Sequence, residues 1–389
     1  MKLGSEVTAN LTLEFAQKAR ERKKNGERII SLGIGEPDFD VPQDIITATV
    51  EALKNGFYKY SDPQGILSLR TAIADKLKSK NNINVEPDQI IVTPGAKGAI
   101  FIALMTILEA GDEVINFTPS YVSYVPQIKI AEYNSKVINF PLNKDDLSID
   151  FEKLEKAITE NTKAILFNTP HNPTGKMFSR EEVERLRDIV LKNKLYIISD
   201  EIYELLNFSG NLHYSLGAFE EIKDQVITIN GFSKPFCMTG WRIGYLVLPK
   251  KLLEKATKLQ HHINTNTTTF VQKGAEVAVK SNAEHLKEYN IKIKNRLQVF
   301  KEFLEINKGY VKCTLPDATF YCWLDISALN MTSNQFARKL VETKGVATTP
   351  GLAFGESWDN FIRIALTCEE EEIREGLDLI TEFIHEEAN

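Results

Sequence analysis

An α/β fold is predicted for this 389-residue chain: a large unit around a mostly parallel seven-stranded sheet, with a smaller α+β unit beside it. Three observations predict it. Short β-rich runs alternate with helical patterns from about residue 88 to 250, as in α/β proteins. Several of those runs are apolar on both faces, which suits strands covered by helices on either side. After about residue 285 the pattern changes to a charged helical stretch, a few short strands and a closing helix.

The expected strands are Ile90–Thr93, Glu113–Phe117, Lys136–Asn139, Ala164–Phe167, Leu195–Ser199, Val226–Asn230 and Gly244–Leu248. Helical patterns lie between them, for example Lys97–Glu109 and Ser179–Asn193. Ser179 followed by Glu182 resembles a capping box opening the second of these. In the later part, His285–Asn307 is helical, Thr319–Asp325, Val346–Thr348 and Asn360–Ala365 are strand-like, and a helix runs from Glu369 to about Glu387. The acidic run Glu369–Glu372 suits a helix start through the helix dipole and needs no functional explanation. The expected division is an arm at 1–10, a small domain from 11–44 with 286–389, and a large domain at 45–285.

Composition narrows the function. The chain is 43% hydrophobic and 26% charged with a net charge of −6, an ordinary globular balance. No basic excess points to nucleic acid or an anionic membrane. The N-terminus has no basic segment followed by an apolar one, so no secretory signal is expected. The four cysteines are scattered and suit small buried side chains in a reducing, cytoplasmic compartment. The six histidines form neither an H-E-x-x-H pattern nor a cluster with cysteine, so no metal site is expected.

In open α/β sheets, ligands bind beyond the carboxyl ends of the strands. Residues with chemical potential collect there. Lys234 follows the sixth strand on a small-residue turn, in Gly231-Phe232-Ser233-Lys234, eight residues before Arg242. Such a lysine can form a Schiff base with an aldehyde cofactor, and an arginine nearby can hold that cofactor's phosphate. Asp200 ends the fifth strand, where a carboxylate is costly unless paired or bound to a ligand. It could keep a pyridine nitrogen protonated, or it could simply cap a helix. Tyr203, three residues on, could bond a phenolic oxygen of the cofactor, as could Asn172 in the turn Asn172-Pro173-Thr174-Gly175. The turn Thr93-Pro94-Gly95-Ala96-Lys97 opens a helix whose N–H groups favour phosphate. With Ser233 and Arg242 it would form a phosphate cup. Tyr121 could stack on a pyridine ring. Gly33-Ile34-Gly35-Glu36-Pro37 lacks the third glycine of a dinucleotide fingerprint and opens no βαβ unit.

Together these pieces resemble class I aminotransferases of fold type I, which depend on pyridoxal 5′-phosphate. The matching segments are Gly33–Pro42, Tyr60–Arg70, Thr93–Lys97, Asn172–Gly175, Ser199–Tyr203, Ser233–Gly244 and Phe361–Ile364, in order along nearly the whole chain. The resemblance implies a homodimer with shared active sites, in which Tyr60 reaches the phosphate of the neighbouring subunit's cofactor. It implies that Arg363 binds the substrate α-carboxylate and that Gly35 lies over the substrate. The motifs are most similar to bacterial-type aspartate aminotransferases, in which a lysine at the position of Lys97 contacts a distal carboxylate. That favours aspartate or another acidic donor with 2-oxoglutarate; aromatic, prephenate or broad-specificity enzymes share most of the frame. A β-lyase, synthase or decarboxylase of the same fold and a non-catalytic domain are the other classes; Arg363 with the full motif set favours transamination over the first, and the presence of Lys234, Asp200 and Arg242 argues against the second. The polar segment His261–Thr269 is expected to line the substrate pocket near the subunit interface.

Overall fold

The computed structural model describes residues 11–281 and 284–388; the expected arm at 1–10 lies outside them. Helix α1 (Leu11–Lys24) precedes a short strand, β1 (Ile30–Ser31), and is followed by α2 (Gln43–Lys54) and α3 (Leu67–Asn81). The large sheet is built from β2 (Ile90–Thr93), β3 (Glu113–Thr118), β4 (Lys136–Pro141), β5 (Thr162–Asn168), β6 (Tyr196–Asp200), β7 (Val226–Gly231) and β8 (Gly244–Val247). Helices α4 (Gly95–Ile107), α5 (Tyr124–Ala131), α6 (Phe151–Ala157) and α7 (Arg180–Asn193) lie between these strands. Then come α8 (Leu253–Asn264), α9 (Thr269–Lys280) and the long α10 (Glu284–Ile306). The chain closes through β9 (Lys312–Cys313), β10 (Tyr321–Asp325), α11 (Ser333–Thr343), β11 (Val346–Ala347), β12 (Thr349–Pro350), β13 (Phe361–Ala365) and α12 (Glu370–Ala388).

The seven expected strands form one sheet, ordered β2-β8-β7-β6-β5-β3-β4, with ends within two residues of expectation. Six strands point the same way. Only β8 runs against its neighbours, β2 and β7. Adjacent residues of a strand serve opposite faces, as a pleat of period two requires. Ile165 and Ile197 enter the core beneath α7, whereas Leu166 and Ile198 enter the core beneath α4. This double burial explains why the runs are apolar throughout. The edge strand β4 has only one fully buried residue, Phe140, and is correspondingly polar. Helix α4 begins two residues earlier than expected, because Gly95 adopts φ +78° and turns the chain directly from β2 into the helix. The expected capping box holds: Ser179 Oγ accepts from Glu182 N, and Glu182 accepts from Ser179 N.

The later part forms an antiparallel four-stranded sheet, β12-β13-β10-β9, against α10 and α12. The N-terminal segment joins it. Ile30 pairs with Val346 in the parallel β1–β11 ladder, and Leu32 is buried among Phe300, Ile362 and Ile373. Arg296 of α10 holds Asp38 by two hydrogen bonds, of 2.8 and 2.6 Å. That pair ties the residues just after Gly35 to the helix. Among the described residues no helix is long and apolar enough to cross a membrane.

Candidate active site

The carboxyl ends of β5, β6 and β7 face β10, β13 and the loop after β1 across a cavity of about 470 Å³. Every residue given its own role in the sequence lines it except two. Gly95 sits buried behind the wall, and Tyr60 is 87% exposed, away from the cavity of its own chain.

One end of the cavity is cationic. The Arg242 guanidinium lies against Gly95, where an added Cβ would stand only 2.5 Å from a guanidinium nitrogen. Only glycine lets the cation lie against the start of α4. Arg242 itself has φ +53°, a conformation that costs a side-chain-bearing residue about 1 kcal/mol, and its guanidinium donates to Thr239 O at 2.9 Å. Ser233 lines the same end. A positive side chain, a hydroxyl and the first N–H groups of a helix therefore converge, the arrangement that binds phosphate.

At the floor, Asp200 is 4% exposed. Its carboxylate accepts from Tyr124 Oη at 2.7 Å and from Ile202 N at 3.3 Å. No α-helix follows it, so the capping alternative falls away. Burial pushes its carboxyl up to about 6, against the opposing pull of the Tyr124 hydrogen bond. Such a carboxylate lacks a cationic partner. Asn168, at the end of β5, donates to Asp200 O at 2.8 Å and accepts from Asn172 N at 2.8 Å, so one side chain sets two neighbours.

Lys234 donates to Gly35 O at 2.7 Å. Loss of solvation, and then the Arg363 charge, lower its ammonium to about 8. Tyr203 Oη lies 3.0 Å from Tyr321 Oη. Arg363 is 4% exposed and donates to Asn172 Oδ1 at 2.9 Å and to Gly33 O at 2.8 Å. Its Nε has no protein partner, and no carboxylate among the described residues pairs with it. Bonding Asn172 through Oδ1 leaves that residue's amide NH2 as its remaining donor. Lys97 is exposed on the first turn of α4, yet its ammonium stands 5.8 Å from the Tyr121 ring and lines the cavity.

Sequence reasoning missed Tyr124, Asn168 and Tyr321. The segment His261–Thr269 lines no part of the cavity within one chain. Its polarity is structural: Thr267 Oγ1 donates to Val92 O at 3.0 Å and Thr269 Oγ1 to Lys59 O at 2.8 Å. Behind Asp200, Glu201, Glu204 and His213 are close enough to hold a metal ion, but protein donors already occupy both carboxylates. Ser199, Ser215 and His213 serve Glu201; Lys76, Asn81 and Asn230 serve Glu204.

A model of the family "Aminotransferase class I and II" matches residues 27–380. The chain belongs to this family. It is a fold type I aminotransferase dependent on pyridoxal 5′-phosphate. This aminotransferase is 36% identical over 398 residues to an aspartate aminotransferase of Bacillus subtilis, covering 100% of each chain. It superposes on the aspartate aminotransferase of Thermotoga maritima with a TM-score of 0.91 at 35% identity, covering 99% of this chain and 100% of that one. It superposes on an aromatic aminotransferase of Pyrococcus horikoshii with a TM-score of 0.89 at 34% identity, covering 95% and 99%.

The residues of this aminotransferase fit the cofactor its family implies. A buried carboxylate without a cation, a cationic cup at a helix start, and a lysine bonded to a backbone carbonyl rather than to an acid are three separate features. A pyridinium, a phosphate and an aldehyde would satisfy one each.

Proposed function

We propose that this aminotransferase moves the amino group of an acidic L-amino acid, aspartate or glutamate, to a 2-oxo acid such as 2-oxoglutarate by a ping-pong sequence. Arg242, Ser233 and the N–H groups of Gly95, Ala96 and Lys97 would hold the cofactor's phosphate. Asp200 would face its pyridine nitrogen, and Tyr203 and Asn172 its phenolic oxygen. Tyr121 would stack on the ring, and Lys234 would bear the cofactor. When bound, pyridoxal phosphate supplies an electron sink for negative charge at the substrate Cα.

The chain's own side chains do the rest. Arg363 receives the α-carboxylate through its planar fork, for which it has no competing acid. Gly35 would cover the substrate, and a Cβ at this position would overlap the Tyr321 hydroxyl. When it does not bear the cofactor, Lys234 Nζ would stand free in the cavity as a base. Its ammonium at about 8 lets it take the Cα proton and return it near neutral pH.

The observation that carries the acidic substrate is Lys97. It is a second cation on the cavity wall, and no acidic side chain among the described residues pairs with it. Charge-assisted pairing with a distal carboxylate would satisfy it. A second reading, an aromatic substrate, is favoured by Tyr121, Val122 and Ile100 on the same wall. A donor panel against 2-oxoglutarate with wild type and Lys97→Ala separates them. We expect Lys97→Ala to lower kcat/KM for aspartate by about tenfold or more, and for phenylalanine by much less. Equal losses for both donors would remove the distal-carboxylate role.

The same proposal includes a cytoplasmic homodimer with shared sites. Tyr60 projects outward at 87% exposure, within a run of exposed apolar side chains that includes Leu53, Tyr58 and Leu67. That patch suits a partner subunit whose cofactor Tyr60 would reach. It also includes the division at 44/45 and 285/286, supported by the pairing of β1 with β11.

A further inference from the structure

Tyr321 touches three groups of the site and has no role so far. It opens β10, is 2% exposed, and lines the cavity. Its hydroxyl lies 3.0 Å from that of Tyr203. The Arg363 guanidinium lies 4.2 Å from its ring centroid. A Cβ on Gly35 would overlap its hydroxyl, so the loop over the substrate rests directly on this side chain.

The direction of the Tyr203–Tyr321 hydrogen bond has a consequence. A phenol carries one proton and can also accept. Burial holds both phenols above their ordinary range, so both keep their protons at neutral pH. An ionised phenolic oxygen on the cofactor only accepts, so Tyr203 would have to donate to it. Tyr203 would then have no proton left for Tyr321 and could only accept from it.

We propose that Tyr321 is a positioning residue that donates its hydroxyl proton to Tyr203 Oη and so turns the Tyr203 proton toward the cofactor's phenolic oxygen, while its ring seats the Arg363 guanidinium. This rests on the role given to Tyr203 above. Tyr321 thus couples the two ends of the site, the carboxylate fork and the cofactor oxygen, through one side chain. Chained hydrogen bonds polarise one another, so losing the first donor weakens the second.

The test loads wild type, Tyr203→Phe, Tyr321→Phe and the double variant with pyridoxal phosphate and titrates the visible absorbance of the bound cofactor against pH. Losing a donor to an anion disfavours the anion, so midpoints rise. Tyr203→Phe should raise the midpoint by about one pH unit or more. Tyr321→Phe should raise it by roughly 0.3 unit with the cofactor still bound. The double variant should match Tyr203→Phe alone, because Tyr321 acts through that hydroxyl. Tyr321→Leu, which removes the ring, should raise KM for the amino donor about threefold to tenfold, whereas Tyr321→Phe leaves KM near wild type. A Tyr321→Phe midpoint equal to wild type, or a shift that persists in the Tyr203→Phe background, overturns the inference alone. A Tyr203→Phe midpoint equal to wild type overturns the role of Tyr203 and this inference with it.

Discussion

Asp200 illustrates what single residues contribute. Its carboxyl, raised to about 6 by burial, is a liability to the protein without cofactor and an asset once a cationic ring faces it. The sign of the pH dependence follows. The folded value lies above the unfolded one of about 3.9, so the native state prefers the protonated acid. The corresponding stabilisation is present below about pH 4 and is lost as pH rises through 6. Asp200→Asn is therefore expected to stabilise the cofactor-free protein by about 2 to 3 kcal/mol at pH 7 to 8 and by little at pH 4. Urea denaturation at the two pH values measures this, while the same variant should lose most of its transaminase turnover. Asp200 was legible in the sequence because an acid ending an apolar strand is conspicuous by itself. Tyr124 and Tyr321 were not. Their meaning lies in partners 76 and 118 residues away, Asp200 and Tyr203, and an isolated tyrosine beside a core does not announce such a bond.

At the scale of elements, the strands were the most legible part, since burial on both faces leaves continuous apolar runs bounded by turns. The antiparallel course of β8 was not, because a fully buried strand of four residues looks alike in either direction. His261–Thr269 is ambiguous in sequence for a related reason. Polar residues that satisfy backbone carbonyls at a helix junction have the same composition as polar residues that meet a substrate. The loop holding Gly35 depends on α10 through the Arg296–Asp38 pair, with Arg296 3% exposed. Arg296→Met leaves Asp38 without its cation and Leu366 O without its donor at 3.1 Å. We expect a loss of about 1 to 2 kcal/mol in urea denaturation, because Asp38 stays in contact with solvent while Leu366 O loses its donor. KM for the amino donor should rise with it, because the loop over the site loses its anchor.

For the whole molecule, the fold brings together residues spread from Gly35 to Arg363 at one end of one sheet. No local pattern could place them, yet their order along the chain was enough to suggest the family. The smaller sheet then supplies Tyr321 and Arg363, the large sheet supplies Asp200 and the turn after β7 supplies Lys234, and the substrate would lie between. Everything proposed for the site depends on Lys234 as the residue that bears the cofactor. The direct test is to incubate the protein with pyridoxal phosphate, reduce with borohydride, digest, and locate the added mass by mass spectrometry. The account predicts one pyridoxyl group per chain, on Lys234, and none at matching stoichiometry in Lys234→Ala. A label spread over exposed lysines, or one concentrated on Lys97 or another site, would contradict it.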